Sequence, residues 1–189
     1  MCFMTRILIF GGTFDPPHTA HTRLVEETML HLECDKVLFV IAARSPFKET
    51  HEQTSSEHRL AMLKIALADS PWAEICTIEL ERGGTSYTID TLEELQQIYG
   101  KSVALTLLIG EDQAESFCKW HRNDDIKNIA NVALLSREGS FSDQFDSIPI
   151  KPIALSSTEI RTLVHQGKAI DGLVLPGVAA YITTHNLYR

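Results

Sequence analysis

The sequence predicts an α/β fold, a doubly wound and mostly parallel sheet with helices on both faces. Three observations carry that prediction. Apolar runs rich in β-branched residues recur at 6–10, 36–42, 104–109 and 131–135, the pattern of strands buried on both sides. Segments of helical period stand between them, so strand and helix alternate. A glycine-rich turn closes the first run, and sheets of this kind bind ligands at the carboxyl ends of their strands.

Taken in order, the run at 6–10 leads through Gly11-Gly12-Thr13-Phe14-Asp15-Pro16-Pro17 into an amphipathic segment that starts at His18. After the second run, Leu60, Leu63 and Leu67 form one helical stripe behind a capping-box pattern of Thr54 and Glu57. A weaker strand is expected over 74–80. Ile89, Leu92, Leu95 and Ile98 make the stripe of the next helix, ahead of the runs at 104–109 and 131–135. Residues 138–146 are polar, with Gly, Ser and Asp, and read as a surface loop. Ser156 and Glu159 repeat the capping-box pattern before Ile160, Leu163 and Val164, and Pro176 opens a last helix reaching about residue 185. No internal repeat or low-complexity segment interrupts this order.

With 189 residues, 44% of them hydrophobic, the chain can bury one substantial core, and a single domain spanning 1–189 is expected. Lys and Arg number 17 against 25 Asp and Glu, a net charge of −8. That balance opposes adhesion to nucleic acid or an anionic membrane, so neither is an expected partner. A site for anions must then be a local gathering of positive groups. No uncharged apolar run is long enough to cross a bilayer, the first residues lack a signal-peptide pattern, and the cytoplasm is the expected compartment. Cys2, Cys34, Cys76 and Cys118 lack CxxC or zinc-ligand spacing and read as reduced, structural thiols. Nothing fixes the oligomeric state, and a homo-oligomer stays open.

Two strings carry chemistry. In the first, glycines let a ligand approach the backbone, and His18 and His21 stand three apart in the opening turn of a helix, on one face. Free N–H groups and the positive dipole end favour an anion there. The spacing is neither the Walker nor the GxGxxG pattern. Surface residues or metal ligands are the alternatives, and a zinc site lacks a third ligand nearby, so no protein-held metal is expected. The second string is Ala154-Leu155-Ser156-Ser157-Thr158-Glu159-Ile160-Arg161. A plain N-cap accounts for Ser156 and Glu159, but not for three consecutive hydroxyls followed by a guanidinium. Together these would cradle the outer phosphates of a nucleoside triphosphate.

His18-Thr19-Ala20-His21 resembles the T/HxGH motif of the nucleotidylyltransferase superfamily, and the second string resembles its ISSTxIR motif. Three further segments are similar to those of bacterial nicotinate-mononucleotide adenylyltransferases: Gly84-Thr85-Ser86-Tyr87-Thr88-Ile89-Asp90-Thr91-Leu92, Ile109-Gly110-Glu111-Asp112 and Lys119-Trp120-His121-Arg122. So is the ending, Leu175-Pro176, Tyr181-Ile182 and His185-Asn186-Leu187-Tyr188. The resemblance spans nearly the whole chain and implies a Rossmann-like fold in which the helices from about residue 156 complete the ATP site. It implies transfer of AMP from ATP, with Mg²⁺ on the triphosphate, to nicotinate mononucleotide. His18, His21 and Arg161 would be catalytic. Gly11, Gly12, Thr13, Phe14, Gly110, Asp112, Ser156, Ser157 and Thr158 would hold ATP, and Lys48, Thr85, Tyr87, Thr88 and Trp120 the mononucleotide. His58 and Arg59 resemble the family's EHR segment, in a structural helix.

The residues alone leave alternatives beside those roles. Trp120 offers a flat face to a pyridine among Lys119, His121 and Arg122, or is a half-buried core residue. Tyr87 and Thr88 offer helix-start N–H groups to a carboxylate, or Thr88 is a cap. Asp112 faces a ribose or caps the next helix. Two positions depart from the family pattern: Ala20 replaces glycine, and Phe47 in Ser45-Pro46-Phe47-Lys48 stands where histidine is expected. Two other functions therefore remain: the same reaction with nicotinamide mononucleotide or phosphopantetheine as acceptor, or a catalytically blunted nucleotide-binding regulator.

Overall fold

The computed structural model describes residues 4–44, 53–100, 102–135, 144–151 and 153–189. Its strands are β1 (Thr5–Gly12), β2 (Lys36–Ile41), β3 (Ala73–Cys76), β4 (Val103–Gly110), β5 (Asn131–Leu135) and β6 (Asp146–Ile148). They form one sheet in the order β3-β2-β1-β4-β5-β6, and every pairing is parallel. The order reverses between β1 and β4, which places a ligand crevice beyond the carboxyl end of β1. In register, Ile9 lies opposite Leu38 on one side and Leu107 on the other.

The helices are α1 (Thr19–His31), α2 (Ser56–Ala66), α3 (Ile78–Arg82), α4 (Thr88–Tyr99), α5 (Glu111–Ser116), α6 (Asn123–Ile129), α7 (Ser157–His165) and α8 (Pro176–Thr184). Successive side chains of a strand face opposite ways, so β1 feeds two cores. Ile7 and Ile9 pack with Leu92 and Leu95 of α4 and Ile126 of α6. Leu8 packs with Val25 and Met29 of α1 and Leu63 of α2. A third cluster, Met62, Ile160, Val178 and Ile182, joins α2, α7 and α8. Gly177 permits the close approach there, because a Cβ would lie 2.7 Å from Ile65 Cγ2.

Several local expectations shift. The strand foreseen over 74–80 ends at Cys76, and the chain turns at Thr77 into α3. Thr77 donates its hydroxyl to Glu81 Oε1 at 2.6 Å, and Glu79 is drawn inward to Thr91, so tertiary bonds override an alternating pattern. The cap of α2 is Ser55, which accepts from His58 N–H, and not Thr54, whose own N–H goes to Asp15. Ile98 is 66% exposed and leaves the apolar stripe of α4. Of the polar loop at 138–146, positions 138–143 lie outside the described residues, and Asp146 begins β6. Lys48, Phe47 and Cys2 also lie outside them. Among the described residues no helix is long and apolar enough to cross a membrane.

Candidate active site

β1 delivers Gly11 and Gly12 to the carboxyl end of the sheet, and a buried loop of residues 13–17 carries the chain to His18, the N-cap of α1. A Cβ on Gly12 would lie 3.1 Å from the Phe14 ring, whereas one on Gly11 would meet no atom within 4 Å. The protein's own packing thus asks for glycine at 12, while the space over Gly11 is open to a ligand. The rings of His18 and His21 stack with centroids 3.6 Å apart. His18 N–H donates to His21 Nδ1 at 3.3 Å, so a neutral His21 carries its proton on Nε2. Burial lowers the His18 pKa from 6.5 to about 4, which makes it a neutral imidazole at pH 7. Among the described residues none hydrogen-bonds its Nδ1.

The second string meets the first. Ser156 caps α7, accepting from Glu159 N–H at 3.2 Å. Ser157 then donates its hydroxyl to the Pro16 carbonyl at 2.9 Å. Arg161 donates from Nη1 to the Asp15 carbonyl at 2.7 Å and from Nη2 to Thr158 Oγ1 at 3.0 Å. The two helix starts are thereby pinned to one loop, with hydroxyls, imidazoles and a guanidinium in one neighbourhood. Ala20 is 3% exposed, so its methyl is held within the protein and presents almost no surface to a ligand.

Long-range partners support this loop. Thr19 N–H and its hydroxyl both donate to the Leu173 carbonyl, at 2.9 and 3.1 Å. Tyr188 donates its hydroxyl to Asp15 Oδ1 at 2.6 Å, and burial, then the charge of Asp15, pushes its pKa above the ordinary tyrosine range. Arg59, 2% exposed, donates to the carbonyls of Thr13, Ala42 and Thr54 at 2.9, 2.8 and 3.0 Å. This is the structural part expected of it. Leu173, Tyr188 and the Asp15 side chain had no role in the sequence reading, because their partners are distant in the chain.

Across Gly11, Gly12 and Thr13 opens a cavity of about 150 Å³, walled by Glu79, Ser86, Tyr87, Thr88, Thr91, Gln113, Trp120 and His121 among others. Tyr87, Thr88 and Trp120 thus share one chamber. Tyr87 caps α4 and its ring lies 4.7 Å from that of His121, while Trp120 packs 5.1 Å from Phe117. Thr85, Gly110 and Asp112 stand off the wall. Gly110, and not Asp112, is the N-cap of α5, and its N–H donates to Gln113 Oε1 at 3.0 Å. Asp112 is exposed at the second position of α5. Arg122 turns away from Trp120 to Glu93 at 2.8 Å and Asp125 at 2.6 Å, so it adds no unpaired charge to the chamber. Glu79, Ser86, Thr91 and Gln113 are wall residues the sequence reading left without a role.

A doubly wound sheet whose first strand ends in a glycine and histidine turn, faced by a hydroxyl-rich helix start, defines a nucleotide-binding α/β protein, and a family model described as Cytidylyltransferase-like matches residues 9–163. A protein of Herpetosiphon aurantiacus bearing the name "Probable nicotinate-nucleotide adenylyltransferase" is 37% identical, with 98% of this chain and 99% of that protein aligned. A protein of the same name from Bordetella pertussis is 36% identical, at 98% and 99%. The chain belongs to the nicotinate-nucleotide adenylyltransferase family. Its fold is also that of the Plasmodium falciparum nicotinic acid mononucleotide adenylyltransferase solved with NaAD, with a TM-score of 0.80 at 20% identity over 97% of each chain.

Proposed function

We propose that this enzyme transfers AMP from ATP to nicotinate mononucleotide, releasing pyrophosphate and forming the nicotinate adenine dinucleotide of NAD biosynthesis. The observation that carries the proposal is a pair of half-sites joined by the one turn that runs from residue 11 to residue 21. On one side stand the stacked histidines and α7, on the other the aromatic chamber at the start of α4. The acceptor phosphate is already an ionised nucleophile, so no covalent intermediate or general base is required. Alignment of two anions then dominates, and well-oriented reactants gain roughly 7 to 11 kcal/mol in intramolecular models.

In this reading His18, His21 and Arg161 face the triphosphate. Ser156, Ser157 and Thr158 hold the departing pyrophosphate, and Gly11, Gly12 and Thr13 form the floor between the substrates, with Phe14, expected there too, buried at 1% exposure and packed against Gly12. Gly110 and Asp112 lie toward the nucleoside. Trp120 faces the pyridine, with Thr85, Tyr87 and Thr88 at its carboxylate and Lys48 at its phosphate. Mg²⁺ fits as the ion that ATP brings. Phosphate-rich sites suit this ion. When bound it neutralises phosphate charge. The cytoplasm, where ATP is held, is the compartment this function implies.

The test incubates purified protein with ATP, Mg²⁺ and either nicotinate or nicotinamide mononucleotide, and separates dinucleotide products by chromatography. Product from the nicotinate form is expected. Absence of any dinucleotide, with tight ATP binding by calorimetry, would instead support the regulatory alternative. His21→Ala should lower kcat by about 10²-fold, since a donor aimed at developing charge contributes little to ground-state binding. Unchanged turnover in that variant would remove His21 from the chemistry.

A further inference from the structure

Inside the wall of the aromatic chamber stands a carboxyl group that adenylyl transfer does not itself use. Glu79 comes from α3 and is 8% exposed. Its Oε1 accepts from the Thr91 hydroxyl at 2.7 Å, and Ser86 makes a second side-chain hydrogen bond to it. Both hydroxyls already receive a donor: Arg82 Nη2 donates to Thr91 Oγ1 at 2.8 Å, and Ala43 N–H donates to Ser86 Oγ at 3.0 Å. Each hydroxyl has one proton to give, and Glu79 receives both. Burial, the largest influence, raises its pKa above the usual carboxylate value, helped by the charge of Glu94, while the two hydroxyls and Arg82 pull the other way.

The two residues that Glu79 grips bracket the start of α4. Ser86 precedes the N-cap Tyr87, and Thr91 ends the first turn. Ser86 also donates its N–H to the Arg44 carbonyl at 2.9 Å, so the same grip ties this turn to the chain leaving β2. Tyr87 and Thr88, held between these points, face the chamber. We propose that Glu79 is a positioning residue for the mononucleotide half-site, fixing the start of α4 through the hydroxyls of Ser86 and Thr91. The inference rests on the pyridine reading of the chamber. It assigns Glu79 no contact with either reacting phosphate.

Glutamine has the right shape and the wrong protons. Where its amide N–H₂ meets one of the two hydroxyls, that hydroxyl loses its acceptor on residue 79 and must turn its proton elsewhere, which loosens the two-armed grip. Glu79→Gln should therefore raise KM for nicotinate mononucleotide about tenfold while leaving KM for ATP within about twofold. In a Ser86→Ala/Thr91→Val background the same change should add almost nothing, because its two intermediaries are gone. Should Glu79→Gln fail to fold, Ser86→Ala and Thr91→Val singly carry the same expectation of a selective rise. Equal shifts in both KM values, no shift, or a fall in the mononucleotide KM would each overturn the proposal, the last by showing that the charge merely repels an anionic ligand. Wild-type protein that makes no dinucleotide would sink the functional reading instead, so the two failures are distinguishable.

Discussion

At the scale of single residues, His18 couples folding to pH. Its pKa falls from 6.5 to about 4 through burial. The unfolded chain therefore binds a proton that the native protein refuses between these values, and stability is lost as pH drops through that window. The loss attributable to this ring at pH 5 is roughly 2 kcal/mol relative to pH 7. Urea unfolding at both pH values should show a steeper loss for the wild type than for His18→Gln by about that amount. Parallel behaviour of the two proteins would mean the imidazole is solvated enough to titrate normally. At pH 7 the neutral ring is a hydrogen-bond donor without a charge, the state in which it can stand 3.6 Å from His21 without repulsion.

At the scale of elements, the loop between β1 and α1 is positioned by parts of the chain far from it. Tyr188, beyond α8, reaches the carboxyl of Asp15, which is 5% exposed. Tyr188→Phe leaves a buried oxygen short of one donor, and should cost about 2 kcal/mol of stability in urea unfolding. It should also lower kcat, because the Asp15 carbonyl is where Arg161 is anchored. Unaltered stability would show that Asp15 finds a replacement donor. None of these ties could be read from local pattern, since Tyr188 and Thr54 reach Asp15 from distant parts of the chain. What was legible is what sequence encodes locally: the apolar runs of β1, β2, β4 and β5, the helix start at His18 and His21, and the cap at Ser156. β6 has three residues and α3 five, too few for periodicity to register, and Glu79 looked like one polar residue in an alternating strand. The chamber wall of Tyr87, Thr88 and Trp120 was legible through resemblance, whereas Gln113 and Thr91 required the packing of α5 and α4.

At the scale of the whole molecule, the proposed active site divides between the sheet and a C-terminal lobe. Arg161 and Ser157 ride on α7, whose apolar face packs with α2 and α8 and not with the sheet cores. The chamber proposed for the mononucleotide instead belongs to β1, β4 and the start of α4. A ligand that binds only the native state stabilises it by about 2.7 kcal/mol at a hundred times its Kd, which for a chain of 189 residues raises Tm by roughly 5 to 11 °C. In the proposed reading ATP draws on both halves and the mononucleotide on one, so the two should respond differently to a lesion in the lobe. Arg161→Met keeps the length and packing of the side chain while removing its bonds to Asp15 and Thr158. Its Tm shift with ATP should shrink at fixed ligand concentration, while the shift with nicotinate mononucleotide stays as in the wild type. Calorimetric melting with each ligand separately decides the matter: a variant that loses both shifts together would mean that α7 holds the sheet-side chamber in shape as well, and that the two half-sites are one cooperative unit.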